Sequence, residues 1–294
     1  VNKKIDNLEE MVEKISKRVA EKLKNKTTGT EQTGRKGTTW GLSSFQHNKA
    51  NKNFDHFKGK KPEPKDEGPE TVDVDLASII DHTLLLPDAS REQLIKVCTE
   101  AKEYHFCTVC VNSSNIALVA KELAGSTVKP IAVVGFPLGA ATTESKVFEA
   151  KEAIQNGAKE IDMVVNIGLL KSKDYQGVFY DILAVVEASR PYPVKVILET
   201  STLTRDEKVI SCALSKAANA AFVKTSTGFN KGGATVEDIK LMREIVGPQM
   251  GVKASGGVRT RADAVAMVNA GASRIGASSS IAIVTGKNAS KGNY

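Results

Sequence analysis

Three charged residues stand where the chain otherwise reads as buried strand. Lys224 follows Phe222 and Val223 in "FVKTSTGF" (222–229), Lys253 lies in "VKASGGVRT" (252–260), and Asp162 lies in "EIDMVVN" (160–166). Side chains alternate faces along a strand, so Phe222, Lys224 and Ser226 share one face, as do Lys253 with Ser255 and Asp162 with Val164 and Asn166. Charges on the inner face of apolar runs are costly unless they pair or react. Two ammonium groups and a carboxylate in a confined space discourage protonation of one amine, through repulsion and loss of water, and a neutral lysine is a nucleophile. Such an amine attacks an aldehyde or ketone to give a carbinolamine and then a protonated Schiff base, an electron sink for making or breaking the adjacent carbon-carbon bond. The other lysine and Asp162 then move protons. The same three charges are also compatible with an ion network that only holds strands together.

Two glycine- and serine-rich turns add a second kind of chemistry. "ASGGVRT" (254–260) places Gly256 and Gly257 directly after the Lys253 run, where missing side chains let backbone amides approach an anion. "GASSS" (276–280) opens the last helical stretch, whose N-terminal amides favour negative charge. The plainer alternative is a pair of ordinary tight turns.

The elements that must position these groups read as alternating strand and helix. Eight short apolar runs occur, at 76–81, 106–111, 131–136, 161–166, 194–199, 221–226, 251–255 and 274–278. Amphipathic stretches separate them, for example Arg91–Tyr104, Glu144–Asn156, Arg205–Ala217, Val236–Val246 and Arg261–Ala270. Strands joined by helices specify a parallel sheet, and eight of them close a (β/α)8 TIM barrel, an α/β fold whose catalytic groups lie at the C-terminal strand ends and whose phosphate site follows strands seven and eight. A doubly wound open sheet is the alternative, but it would show about six strands and a glycine fingerprint after the first.

Taken in order, "IDHTLL" (80–85), "EIDMVVN", "KTSTGF" (224–229), "VKASGGVRT" and "GASS" (276–279) resemble the deoxyribose-phosphate aldolase family of class I, Schiff-base enzymes. The likeness covers roughly residues 72–286. It implies that Lys224 forms the Schiff base and that Asp162 and Lys253 relay protons and depress the amine's pKa. It further implies that Asp81, Thr83 and Cys110 lie near the substrate hydroxyls, and that Thr227 and Gly228 shape the loop after the sixth strand. Gly256, Gly257, Gly276, Ser278 and Ser279 match the family's phosphate cradle. The reaction implied is reversible cleavage of 2-deoxy-D-ribose 5-phosphate to acetaldehyde and D-glyceraldehyde 3-phosphate, with no metal and no other cofactor. One branch of the family carries lysine where this chain has Phe229, with Lys231 close by, and Tyr294 resembles a tail tyrosine that some members fold over the site. A homodimer is compatible with the resemblance. A non-catalytic sugar-phosphate-binding barrel and a Schiff-base aldolase with another donor are the competing readings.

The rest of the chain narrows the partners. The net charge of +7 divides unevenly: residues 1–70 hold 16 Lys+Arg against 11 Asp+Glu, leaving 25 against 23 for the remainder. That distribution, without blocks of like charge, favours a solvated tail over a nucleic-acid arm. No apolar run reaches the roughly 18 residues of a membrane helix, so a cytoplasmic protein is expected. Two of the four histidines, His47 and His56, fall in the tail, while His82 and His105 read as packing or surface groups rather than zinc ligands. Cys107 and Cys110 point to opposite faces, which disfavours a shared metal, and Cys98 and Cys212 read as buried helix residues. Three segments result: an amphipathic helix (1–24), a flexible linker (25–70) and the barrel (71–294). Ile5, Leu8, Met11, Val12, Ile15, Val19 and Leu23 form the helix's apolar stripe. A helix tied by a linker to an enzyme is similar to the encapsulation peptides that bind bacterial microcompartment shell proteins, and confinement would suit a volatile aldehyde product.

Overall fold

A computed structural model describes residues 75–286. The helix and linker expected over 1–24 and 25–70, and Tyr294, lie outside these residues. The strands are β1 (Ile80–Leu84), β2 (Thr108–Asn112), β3 (Lys129–Val134), β4 (Glu160–Val164), β5 (Val194–Ile197), β6 (Phe222–Lys224), β7 (Gly251–Ser255) and β8 (Arg274–Ala277). They pair in chain order, all in parallel, and Ile80 opposite Ile275 closes β1 onto β8. The expected (β/α)8 barrel is the observed fold. The helices are α1 (Arg91–Glu103), α2 (Ile116–Glu122), α3 (Thr143–Gln155), α4 (Ile167–Lys171), α5 (Tyr175–Ser189), α6 (Arg205–Ala217), α7 (Val236–Val246), α8 (Arg261–Asn269) and α9 (Ser280–Thr285). Among the described residues no helix is long and apolar enough to cross a membrane.

Local chemistry sets where the helices start. Reciprocal capping boxes, Ser90 with Gln93, Thr204 with Glu207 and Thr260 with Asp263, open α1, α6 and α8. Each cap feeds orphan N–H groups and is worth about 1 kcal/mol, so chain leaving a strand at the barrel mouth turns at a defined residue. Several expected strand bounds move. The strand expected over 76–81 begins only at Ile80, because Asp75 accepts the Ala77 N–H at 3.1 Å and its carbonyl accepts the Ser78 hydroxyl at 2.8 Å, folding Ala77–Ile79 into a 3-10 turn. Likewise β4 ends at Val164, and Asn166, expected on its inner face, instead caps α4 by accepting the Leu169 N–H at 3.1 Å.

Strand alternation separates two interiors. Outward residues such as Val109, Val111, Ala132, Val134, Ile161, Met163, Val196, Val223 and Val252 pack with the helices into one continuous apolar shell. Inside the barrel, Leu85, Cys110, Ile131 and Val133 form a separate small cluster beside Phe136. The inward positions of β4 to β8 carry charge instead: Glu160, Asp162, Lys195, Lys224, Lys253 and Arg274, all buried or nearly so. Phe222 lies below this charged layer, its ring centroid 5.8 Å from Lys195 Nζ and 5.2 Å from Arg274 Cζ. Gly251 makes room for that ring, since a Cβ there would lie 2.0 Å from Phe222 Cδ1.

Candidate active site

The charged inward residues form a circuit. Asp162 Oδ1 accepts from Lys195 Nζ at 2.8 Å, and its Oδ2 accepts from both Lys224 Nζ (2.9 Å) and Lys253 Nζ (2.8 Å). Lys253 Nζ also ion-pairs with Asp81 Oδ2 at 2.5 Å. Asp81 Oδ1 accepts from Thr108 Oγ1 at 2.7 Å and from Arg274 Nη1 at 2.8 Å. Arg274 reaches on to Glu160 Oε2 at 3.1 Å, and Glu160 pairs with Lys195 at 2.5 Å. Six groups of alternating sign therefore close a ring, Lys195, Asp162, Lys253, Asp81, Arg274 and Glu160. Its charge is balanced without Lys224, which hangs from Asp162 as a seventh member.

That surplus position explains how the groups titrate. Burial, which disfavours any charge, pulls the Lys224 pKa below the ordinary lysine value; Asp162 opposes the shift and the adjacent Lys253 cation reinforces it. Lys253 is equally buried, yet Asp162 and Asp81 together outweigh the desolvation and hold it above the ordinary value. Lys195 is likewise raised by its carboxylate partners against the same burial. Despite burial, the lysines around Asp162 keep its carboxyl well below the usual carboxylate range. Of the three lysines around Asp162, only Lys224 is driven toward the neutral amine. The sequence-level expectation of a crowded cationic neighbourhood is thus refined: desolvation leads, and the carboxylates fix which lysine gives way.

Around the amine, other sequence-selected residues take defined places. Thr83 donates to the Asp81 carbonyl at 2.8 Å, and Asp81 lies fully buried beneath Lys253 with both oxygens engaged. Cys110 is buried in the apolar interior cluster, its thiol pushed up to about 11 by desolvation and by Asp162. Gly276 sits within β8, where a Cβ would lie 2.8 Å from Lys253 Cε, so its lack of a side chain admits the lysine. Gly256 and Gly257 adopt φ +88° and +78° in the loop after β7, a region that favours glycine. Ser278 and Ser279 are half-buried between β8 and α9.

The loop after β6 is held from below. Thr227 donates its N–H (3.2 Å) and its hydroxyl (2.5 Å) to Glu199 Oε2, and its oxygen accepts the Phe229 N–H at 3.1 Å. Glu199 is buried and left-handed, φ 58° and ψ 60°, a conformation that costs a non-glycine residue about 1–2 kcal/mol. Phe229 is half-exposed and meets Phe136 edge-on, with ring centroids 5.2 Å apart. Lys231 is exposed.

Outside the barrel, His82 bridges Glu100 Oε2 and Ser280 Oγ, each at 2.9 Å, as a packed polar group between β1, α1 and α9. Cys98 and Cys212 are buried on α1 and α6, and all four cysteines are free. Lys195, Glu160, Arg274 and Glu199 escape the motif-based reading. The first three carry the same signal as Lys224, a charge at the inward phase of an apolar strand, two residues from Ile197, Asp162 and Gly276 respectively.

Comparison with known proteins yields a consistent set of relatives. The profile described as DeoC/LacD family aldolase matches residues 76–291. A deoxyribose-phosphate aldolase of Clostridium novyi (strain NT) is 60% identical over 222 residues, covering 75% of this chain and all of the relative. One from Streptococcus gordonii is 60% identical over 219 residues, covering 74% of this chain and 99% of the relative. Among solved structures, the tetrameric deoxyribose phosphate aldolase of Aeropyrum pernix superposes with a TM-score of 0.68 at 34% identity, covering 71% of this chain and 89% of that one.

Proposed function

The chain belongs to the DeoC/LacD family of aldolases, and from that premise we propose that it cleaves 2-deoxy-D-ribose 5-phosphate reversibly to acetaldehyde and D-glyceraldehyde 3-phosphate through a Schiff base on Lys224. The observation that carries this reading is the buried Lys224 amine, its pKa depressed and its Nζ hydrogen-bonded to the same Asp162 oxygen that holds the charged Lys253.

Each residue then has a task. Lys224 Nζ adds to the aldehyde carbon of the open-chain sugar, and the carbinolamine loses water to give a protonated imine. Lys253, kept as an ammonium, supplies the proton that lets hydroxide leave as water. Asp162 Oδ2 joins the two amines, so a proton passes between them through one oxygen. Removal of the proton from the hydroxyl at C3 breaks the C2-C3 bond, releases glyceraldehyde 3-phosphate and leaves an enamine. Protonation at C2 and hydrolysis then free acetaldehyde and restore Lys224. Asp81 fixes Lys253, Thr83 and Cys110 line the wall near the sugar, and Thr227 and Gly228 shape the opposite side. Gly256, Gly257, Ser278 and Ser279 present N–H and hydroxyl donors to the phosphate, and Gly276 keeps the path of Lys253 open.

Borohydride trapping tests the reading. Incubation with acetaldehyde and reductant is expected to add an ethyl group to the peptide bearing Lys224, seen by mass. Phosphate binding without any adduct would instead favour a sugar-phosphate-binding barrel.

We also propose that catalysis resides in the barrel and that residues 1–24 are an attachment helix for a partner such as a microcompartment shell, on the strength of their apolar stripe. The two bacterial relatives are matched over nearly their whole length by about three quarters of this chain, which supports a self-sufficient barrel. A variant lacking residues 1–70 is expected to keep kcat/KM within about twofold, a difference of roughly 0.4 kcal/mol. Loss of turnover in a folded truncation would assign the N-terminal segment to the active enzyme.

A further inference from the structure

We propose that Glu199 is a positioning residue for the phosphate-bearing end of the substrate, acting through Thr227, an inference that rests on the function proposed above. The argument starts from burial. Glu199 is 1% exposed, and among the described residues no lysine, arginine or histidine forms an ion pair with it. A buried carboxylate without a cation persists only where fixed donors feed it. Here the donors are the N–H and O–H of one residue, Thr227, both directed at Oε2.

The backbone supports the same conclusion. The left-handed conformation of Glu199 is held by the Thr202 N–H on its carbonyl (3.0 Å) and by the Thr200 N–H on the Thr225 carbonyl (3.0 Å). Strain of this kind survives where its surroundings over-determine it, and it gathers at sites that need a fixed geometry. The strained turn aims a side chain from the end of β5 across to the loop after β6.

With the Thr227 hydroxyl donating its hydrogen bond to Glu199, its oxygen lone pairs are free to accept the Phe229 N–H, so both sides of Gly228 are fixed. Gly228 itself has φ +88°, and no atom lies within 4 Å of where its Cβ would stand, so this bend borders open space. The neighbouring loop rests against it: a Cβ on Gly256 would lie 3.3 Å from Ser226 Cβ and 3.8 Å from Gly228 Cα. Thr225 ties the same two loops, donating to the Ser255 carbonyl (2.8 Å) and accepting the Ser255 N–H (3.0 Å). Glu199 therefore sets the spacing between the amine at Lys224 and the glycine loop that receives the anion. It touches neither.

This assignment separates the two ends of the reaction, which gives a readout that a merely structural role would not move. Acetaldehyde has no phosphate, so its reductive trapping on Lys224 reports the amine alone. In Glu199→Leu, KM for 2-deoxy-D-ribose 5-phosphate is expected to rise about ten- to a hundredfold, while the rate of acetaldehyde trapping stays within about twofold of wild type. Glu199→Gln keeps an acceptor oxygen for Thr227 and is expected to recover most of the lost affinity. Thr227→Val, nearly the same shape without the hydroxyl, is expected to show the same KM rise and serves as the test should Glu199→Leu fail to fold. An unchanged KM in the folded Leu or Val variant overturns the proposal, as does trapping that falls in parallel with turnover. Failure of the wild-type chain to trap acetaldehyde overturns the aldolase reading itself, a different result from either.

Discussion

A Lys224→Leu variant is expected to lose turnover of 2-deoxy-D-ribose 5-phosphate by about 10⁴-fold or more, with no borohydride adduct on its peptide, while melting at or above the wild-type temperature. Both halves follow from the surplus position of this lysine. The other two lysines around Asp162 are no substitute, because Lys195 and Lys253 are held charged by their carboxylate partners. Stability survives because the six-membered ring stays balanced when the seventh group leaves, and a buried amine is replaced by an apolar side chain of similar volume. Steady-state kinetics, peptide mass and calorimetry on the same preparation check it. Residual covalent trapping elsewhere on the chain would remove Lys224 from the mechanism.

Lys253→Leu is expected to be nearly as damaging to catalysis and far more so to the fold. Turnover should fall by about 10² to 10⁴-fold through loss of the proton donor. Stability should fall by about 3–5 kcal/mol, since Asp81 and Asp162 are then buried one cation short. The pH profile carries the sharper test. In wild type the neutral fraction of Lys224 declines as pH falls through its depressed pKa, which sets the acid limb of Schiff-base formation. Removing the Lys253 cation deletes a contribution that lowers this pKa and frees Asp162 to raise it, so the acid limb should move to higher pH. A limb at the wild-type position would place the control of the amine with burial alone.

Much of this design is visible in the sequence, and the parts that are not share a physical reason. Lys224, Lys253 and Asp162 stand out because a charge inside an apolar run must be explained, and strand parity places all three inside the barrel. Lys195 in "VKVILE", Glu160 in "EIDMVVN" and Arg274 in "RIGAS" present the same pattern, but a strand's first or second residue also reads as an exposed edge position. Their burial depends on how β4, β5 and β8 stagger as the barrel closes, which no single strand contains. Glu199 was invisible for another reason. Its role depends on a left-handed turn that glutamate seldom adopts and on a partner 28 residues away. Helix starts were readable to within a residue at α1, α3, α6, α7 and α8, because Ser, Thr and their capping partners announce them locally.

The division of the barrel interior bears on how substrate range can change. Along β4 to β8 every inward charge except Lys224 leans on at least two others, so a new side chain there disturbs the whole circuit, and combined substitutions should depart strongly from additivity. On the opposite wall, Cys110, Ile131 and Val133 pack on one another in a small apolar cluster outside the ion-paired ring and can be enlarged or trimmed one at a time. Divergence toward other acceptor aldehydes has one tolerant wall open to it, and the nucleophile faces that wall across the lumen.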